Sequence, residues 1–209
     1  MMGITHRCGA VLAALATIEI MSVCKVHIGI PEMAALATGS IFGGYLPDID
    51  TPNSHISRKL GIILWPVWIL RIFIRIIRKI VPGTSKVGQQ ISKAVGHRGM
   101  AHAPVTWIIV GTVYWLLYGQ ASTITSKISI LNGGFPFLLG IGIAVGIVSH
   151  LLLDMISGGI PLFFPVTLRR IKLLTMKTGG YEEWIVRIGL LITIIIITYK
   201  ISISGGVIL

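Results

Sequence analysis

The sequence predicts an all-α protein, a multi-span transmembrane helical bundle of about five spans with an amphipathic interfacial helix near 61–80. Of the 209 residues, 54% are hydrophobic and only 12% are charged, and the mean hydropathy is +0.87. The charged share is about half that of soluble domains, which excludes an ordinary soluble, disordered or disulfide-scaffold protein. We expect residues 1–209 to form a single integral-membrane domain.

Five apolar runs, each bounded by turn formers or charges, predict the membrane spans. They cover 5–24, 33–46, 104–118, 135–156 and 183–203. A hydrocarbon core requires about 20 helical residues, so the second and third runs either extend into their flanks or pack inside the bundle. We interpret the first run as a span and not as a cleaved signal peptide, because the apolar stretch continues through Val23.

Residues 61–80 carry a different pattern. Arg71, Arg75 and Arg78 recur at i, i+4 and i+7, so a helix places three cations on one face among isoleucine, phenylalanine and leucine. This pattern is typical of a helix that lies in the membrane interface with its basic face toward anionic head groups. A sixth span with snorkelling arginines is the alternative. The segment belongs to a basic connector, residues 58–98, which we expect to be cytoplasmic or interfacial.

The basic residues are distributed unequally between the two ends of the predicted spans. The connector 58–98 contains nine Lys or Arg residues, the loop 157–182 contains four, and Arg7 and Arg187 begin the first and last spans, which leaves three of the 18 for the opposite side. The positive-inside rule then predicts that the N-terminus and both loops are cytoplasmic, in an inner or plasma membrane. This bias explains the net charge of +11, so we expect membrane lipids and not nucleic acid as partners.

Glycines in the fourth span predict close helix packing. Gly142 and Gly146 have the small-xxx-small spacing that lets two helices approach each other, within the bundle or between copies. The sequence leaves the oligomeric state open.

Acidic and histidine side chains concentrate at the predicted cytoplasmic end of the spans. Such side chains are costly in a membrane helix unless they have a partner or a function. The candidate metal ligands are His6, Asp48, Asp50, His97, His102, His150, Asp154 and Glu183. Their number exceeds what one tetrahedral zinc ion needs. It suits one or two divalent ions, Zn²⁺ or else Mn²⁺ or Fe²⁺, with the surplus orienting the ligands.

The sharpest of these motifs is His150-x-x-x-Asp154. Residues four apart on a helix share a face, so an imidazole nitrogen and a carboxylate oxygen converge on one cation. Taken alone, the spacing is more typical of a hydrogen-bonded His–Asp pair, and the neighbouring candidates favour the metal site. Asp48 and Asp50 follow a helix-stopping proline, where a loop turns both carboxylates to a cation or forms an Asx turn or cap. His6 lies close to the chain start, and an exposed histidine is its alternative.

Two further pairs lie at helix starts. His97 and His102 precede Pro104, which suits the first turn of a following helix. Hydrogen-bonded interfacial histidines are the alternative. Glu182 and Glu183 occupy the first turn of the last span, where an acid also interacts favourably with the helix dipole.

The ordered motifs T-H-R, L-P-D-I-D, H-R-G-M-A-H, H-L-L-L-D and T-G-G-Y-E-E-W resemble those of the YdjM-like family. Its members are bacterial multi-span inner-membrane proteins described as membrane-bound metal-dependent hydrolases, some of them regulated by the SOS repressor LexA. The resemblance covers nearly the whole chain. It implies that the motif positions are His6, Asp48, Asp50, His97, His102, His150 and Asp154, with Glu183 the better fit of two adjacent glutamates. Ala101 departs from the pattern, which often has Thr there.

The His-x-x-x-Asp helix also looks like that of zinc-dependent phosphoester hydrolases of the phospholipase C and nuclease type. This likeness implies hydrolysis at phosphorus, with Asp50 or Asp48 as base or bridging ligand and Arg98 as a phosphate clamp. We therefore expect a membrane-embedded metal-dependent hydrolase with its site at the cytoplasmic face, acting on a lipid or lipid-linked phosphoester. The alternatives are a divalent-metal carrier or sensor and a non-catalytic scaffold. Few polar residues lie in the middles of the spans, which disfavours a cation path.

Overall fold

The computed structural model describes residues 3–50, 76, 99–126, 134–174 and 176–203. The five α-helices in these residues are α1 (Gly3–Val23), α2 (Ile30–Gly43), α3 (Pro104–Ser126), α4 (Gly134–Ser157) and α5 (Tyr181–Ile203). Short 3-10 helices cover Leu46–Asp50 and Met100–His102. The predicted all-α helical bundle is confirmed: the regular structure of the described residues is helical, apart from an isolated bridge between Ile160 and Ile171.

Three of these helices, α1, α4 and α5, are long and apolar enough to cross a membrane. The runs predicted at 5–24, 135–156 and 183–203 match them to within two residues at each end. The run predicted at 104–118 extends to the 23 residues of α3, whereas the run at 33–46 corresponds to an α2 of only 14 residues. Because α2 is shorter than the about 20 residues of a span, packing inside the bundle, against α1 and α4, stabilises it.

The interfacial helix predicted at 61–80 and the connector 58–98 lie outside the described residues, apart from Ile76, which is helical and about half exposed. Asp48 and His102, in the described segments before and after the connector, are close together. These two segments therefore lie at the same end of the bundle.

The helices alternate in direction. Thr5 at the start of α1 contacts Glu183 at the start of α5, and Glu19 further along α1 pairs with Lys200 at 2.5 Å, so α1 and α5 run parallel. Helices α2 and α4 run in the opposite direction and end beside these starts. We call this end of the bundle, which contains the starts of α1, α3 and α5, the N-terminal end.

Glycines let α2 and α4 touch backbone to backbone. A Cβ atom placed on Gly146 would overlap the carbonyl oxygen of Ser40, and one placed on Gly43 would overlap the carbonyl oxygen of Ile143. Gly142 faces α2 in the same way. Any side chain at these positions would separate the helices. The small-xxx-small pair Gly142 and Gly146 on α4 therefore packs against α2 within the bundle.

Apolar side chains fill the bundle along this contact. One buried cluster joins Ala14, Leu36 and Leu138 from α1, α2 and α4. A second cluster near the N-terminal end joins Ile147, Leu151 and Ile160. Helix α5 packs mainly against α1 and leaves most of its isoleucines exposed, as expected for a helix that faces lipid.

Replacing Gly146 by alanine is expected to destabilise the bundle, because the new methyl group overlaps the Ser40 carbonyl oxygen. Overpacking of this kind costs about 1–3 kcal/mol. Thermal unfolding of the detergent-purified protein should therefore show a lower midpoint. Gly189→Ala is the matched control, because nothing lies within 4 Å of a Cβ placed on Gly189. Equal midpoints for the two variants would contradict the close α2–α4 contact.

Candidate metal centre

Five of the eight predicted ligands meet at the N-terminal end of the bundle. His6 lies near the start of α1, and His150 and Asp154 lie near the end of α4. Asp48 lies in the 3-10 helix after α2, and His102 ends the 3-10 helix before α3. Four separate stretches of the chain thus contribute to one cluster, which we call the His/Asp cluster.

Prolines fix the two short segments that carry Asp48 and His102. Pro47 follows the end of α2 and is fully buried, and a proline there does not continue the helix. Pro104 is the first residue of α3, the position at which a missing backbone N–H costs least. Both segments therefore lie directly beside the ends of helices, Asp48 after α2 and His102 before α3.

Asp154 is the centre of the His/Asp cluster. Its Oδ1 lies 3.5 Å from Nε2 of His6. Its Oδ2 lies 3.1 Å from Nε2 of His102 and 3.5 Å from Nε2 of His150. The i, i+4 spacing on α4 places the His150 and Asp154 side chains on one face, and the other two imidazoles approach the same carboxylate from α1 and from the segment before α3.

Asp48 closes the cluster on the side that is open to solvent. Its Oδ1 lies 3.6 Å from Nε2 of His102 and 3.8 Å from Nε2 of His150. The Asp48 side chain is 28% exposed, whereas the other four side chains are at most 4% exposed. Burial by itself raises the pKa of the Asp48 carboxyl, but the contact with His102 and the nearby His150 outweigh it and lower this pKa overall. Asp48 is therefore a carboxylate at neutral pH.

The ligand atoms form two overlapping groups, in each of which all atoms lie within 4.8 Å of one another. One group contains His6, His150 and Asp154, and the other contains Asp48, His102 and His150. The Nε2 lone pair of His150 binds one ion at a time. The cluster therefore suits one ion bound by a subset of the five side chains. It also suits two ions, one in each group, with His150 bound to only one of them.

A backbone hydrogen bond orients His150. Its Nδ1 lies 2.7 Å from the carbonyl oxygen of Gly44. Because a carbonyl only accepts, Nδ1 carries the proton and Nε2 directs its lone pair into the cluster, the arrangement that is usual for a metal-binding histidine. The ring of His6 stacks on that of His150 at a centroid distance of 3.9 Å.

The donor atoms fit a divalent cation. Nε2 of His150 and Nδ1 of His6 are buried and have no hydrogen-bond partner among the described residues. Buried polar atoms of this kind are rare in proteins, and a bound ion is one way to satisfy them. Imidazole and carboxylate together are ligands for Zn²⁺, Mn²⁺ or Fe²⁺. Such an ion also offsets the charge of two neighbouring carboxylates.

Glu183 belongs to neither ligand group and instead links α5 to α1. Its Oε1 accepts a hydrogen bond from the Thr5 hydroxyl at 2.6 Å, and its Oε2 accepts one from the Gly179 amide at 2.8 Å. Arg187, one turn further along α5, lies 3.8 Å from Oε1 and donates to Thr5 Oγ1 at 3.3 Å. Since Thr5 immediately precedes His6, this network fixes the start of α1 beside the cluster.

Three other predicted site residues are not tested by the geometry. His97 and Arg98 lie outside the described residues, as does the side chain of Asp50, so their roles stay predictions. Conversely, Thr5 and Arg187 were not among the predicted site residues. The i, i+4 spacing of Glu183 and Arg187 was the available signal for that pair.

Comparison with known proteins identifies the family. A family model described as YdjM inner membrane protein matches residues 1–207. The chain belongs to this family. The resemblance predicted from the motifs is thereby confirmed, and the family together with the apolar helices establishes a membrane protein.

This YdjM family member is similar to the uncharacterized protein YvsG of Bacillus subtilis (strain 168). The two chains are 27% identical over 191 residues, which cover 91% of this chain and 89% of that protein. No solved structure matches the chain significantly.

Substituting Asp154 by asparagine is expected to remove bound metal, because Asp154 faces all three histidines of the His/Asp cluster. Asparagine keeps the size of the side chain and removes its charge, so we expect metal affinity to fall by about 10–100-fold or more. Plasma mass spectrometry on the purified protein measures the metal content. Glu19→Gln, which removes a carboxylate distant from the cluster, is the matched control and should retain the wild-type content. Equal metal contents in the two variants would contradict the site.

Glu183→Gln is expected to reduce stability and to leave metal content unchanged. The substitution removes the negative charge beside buried Arg187, and breaking a buried ion pair costs about 3–5 kcal/mol. Adding Arg187→Met removes the remaining charge and should recover part of the loss in the thermal midpoint. Loss of metal at an unchanged midpoint would instead identify Glu183 as a ligand.

Proposed function

We propose that this protein is a membrane-embedded metal-dependent hydrolase that acts on a phosphoester of a lipid or lipid-linked substrate. The observation that carries the proposal is the convergence of three histidines and two aspartates at one end of apolar helices. Four of these side chains are buried, and Asp48 alone of the five opens to solvent. A closed structural site has no need of such an opening, whereas a catalytic site requires access for substrate and water.

The residues divide into those that would hold an ion and those that would act on substrate. His6, His102, His150 and Asp154 would supply the donors, and Asp48 would either complete the ligand set or act as the base. A divalent ion bound to them supplies Lewis acidity, which acidifies water and stabilises negative charge around phosphorus. Asp48 is an exposed carboxylate, so it is our first candidate to accept a proton from the attacking water, with Asp50 the second. Arg98, as the sequence predicts, would bind the phosphate oxygens.

The proposed orientation places the His/Asp cluster at the cytoplasmic face of the inner membrane. Most of the 18 basic residues belong to segments that begin or end at the N-terminal end of the bundle, where the cluster lies. The positive-inside rule favours a cytoplasmic location for this end. At that depth the cluster lies level with the head groups of the inner leaflet, where anionic lipid phosphoesters are available. Membrane lipids are thus the partners that we propose.

Reconstituted protein tests the proposed reaction directly. Vesicles that contain phosphatidylglycerol, phosphatidic acid or a polyprenyl phosphate are incubated with the protein, and release of head group or inorganic phosphate is measured. We expect release that EDTA abolishes and that Zn²⁺ or Mn²⁺ restores. Asp48→Asn should lower the rate by about 10²–10⁴-fold if Asp48 accepts the proton, whereas Glu19→Gln should retain it.

Two results would contradict the proposal. Release that is insensitive both to EDTA and to Asp154→Asn would exclude the His/Asp cluster as its source. Flux of Zn²⁺ or Mn²⁺ into sealed proteoliposomes, without hydrolysis of any of the three lipids, would instead assign the same ligands to a divalent-metal carrier.

A further inference from the structure

An open apolar groove runs along the lipid-facing side of α1 and α4. Its volume is about 480 Å³, which lies within the range of ligand-binding pockets. The groove is lined by small residues of α1, larger apolar residues of α4 and one residue of α5; the principal ones are Gly9, Ala13, Ala16, Ala144, Val148 and Leu190. The alanines on α1 leave space beside the longer side chains of α4, whereas at Gly9 the side chains of Ser149 and Leu153 pack directly against α1.

One end of the groove adjoins the His/Asp cluster. Gly9 is three residues from His6 on α1, and Leu153 is three residues from His150 on α4. Residues three apart are neighbours on a helix surface, so Gly9 and Leu153 lie about one turn from the two histidines. On α1 the lining continues the face of His6, whereas on α4 most of the lining, such as Val148 and Leu152, lies on the side away from His150. From Gly9 to Thr17, the last lining residue of α1, the helix rises by about 12 Å. The groove therefore begins about one turn from the cluster and extends toward the middle of the bundle.

The lining suits hydrocarbon and not a polar ligand. Among the described residues it contains two hydroxyl side chains, Thr17 and Ser149, and no charged one. The Thr17 hydroxyl donates to the carbonyl oxygen of Ala13 at 2.8 Å, so it is satisfied within its own helix. All three helices that line the groove are long and apolar enough to cross a membrane. A chain from the surrounding bilayer matches both the position and the chemistry of the groove.

Cations lie beyond the end of α4, at the same end of the bundle as the cluster. Arg169, Arg170 and Lys172 are exposed in the segment that follows this helix. That segment folds back on α4, since the Leu173 amide donates to the Met155 carbonyl oxygen at 2.9 Å. A lipid whose chain lies in the groove would have its head group at this end of the bundle, where these exposed cations favour an anionic phospholipid.

We propose that the groove binds one acyl chain of an anionic phospholipid, which enters sideways from the bilayer and brings its phosphoester to the His/Asp cluster. The inference rests on the proposed hydrolase function for the fate of the head group, and it specifies the substrate class. The groove recognises the chain and the cluster acts on the head group, so short-chain soluble phosphoesters are poor substrates.

Photo-crosslinking tests occupancy of the groove without any assay of catalysis. The full-length protein is reconstituted into vesicles of phosphatidylethanolamine and phosphatidylglycerol that contain a phosphatidylglycerol with a diazirine in one acyl chain. Adducts are mapped by peptide mass spectrometry. We expect adducts to concentrate on residues 9–17 and 144–153. Exposed positions of α5 outside the groove, such as Ile192 and Ile196, report non-specific labelling by bulk lipid.

A blocking variant and a matched control sharpen the test. Ala144→Trp fills the groove from an exposed position, and Ala34→Trp introduces the same side chain at an exposed position of α2 that does not line it. We expect Ala144→Trp to lower adduct yield in the groove by about tenfold through steric exclusion, with metal content and thermal midpoint unchanged. Ala34→Trp should label as the wild type does.

Specific results would overturn the inference. Groove labelling no stronger than labelling of α5, or equal labelling in Ala144→Trp and Ala34→Trp, would exclude a bound acyl chain. Crosslinking of the Ala16→Cys variant to residues 51–98 or to a second copy, in place of lipid adducts, would assign the groove to that occupant.

The same samples separate this inference from the proposed hydrolase function. Strong groove labelling in wild type and in Asp154→Asn, without hydrolysis of any vesicle lipid, would retain the lipid site and reject the hydrolase. Metal-dependent hydrolysis that Ala144→Trp leaves unchanged would retain the hydrolase and reject the groove. If both hold, Ala144→Trp should raise KM for the long-chain phospholipid by about tenfold and leave the rate on a dihexanoyl analogue unaltered.

Discussion

The backbone contact between α2 and α4 is the constraint on which the rest of the structure depends. With glycine at Gly43 and Gly146, the two helices approach until carbonyl oxygens occupy the space of the missing side chains. This approach brings the carbonyl oxygen of Gly44 to 2.7 Å from Nδ1 of His150. The short segment that follows α2 then carries Asp48 directly to the histidines. A wider separation of the helices would therefore change the tautomer and position of His150 as well as the packing.

Two buried acidic groups lie near each other and are balanced in different ways. Glu183 is balanced by Arg187, a permanent cation one turn away on the same helix. Asp154 faces three imidazoles, whose charge depends on whether they bind a proton or a metal ion. The first arrangement is suited to holding α1 and α5 together under all conditions. The second is suited to binding, because the groups around Asp154 remain available as donors for a cation.

The sequence predicted the long spans well and the site in part, for physical reasons. A run such as 135–156 must bury its apolar side chains in lipid over a fixed thickness, so hydropathy locates it closely. Helix α2 escapes this rule, because its packing against α1 and α4 stabilises it without a full span length. The His150 and Asp154 pair follows from helical periodicity alone. The bond between Thr5 and Glu183 joins residues 178 positions apart, and no local pattern predicts it. The spacing of Glu183 and Arg187 therefore predicts their ion pair, whereas the contact of Glu183 with α1 has no signal in the sequence.

The two ligand groups of the cluster face different surroundings, and this asymmetry bears on the kind of molecule that the site suits. The group of Asp48, His102 and His150 contains Asp48, the one side chain of the five in the cluster that is markedly exposed. The group of His6, His150 and Asp154 lies on α1 and α4, the helices that also line most of the apolar groove. A small polar solute would use only the first side, and a simple hydrocarbon only the second. An amphiphile uses both, because its head group requires water and charge while its chain requires a path that excludes them. This asymmetry is our reason for proposing a lipid and not a free ion or a soluble ester.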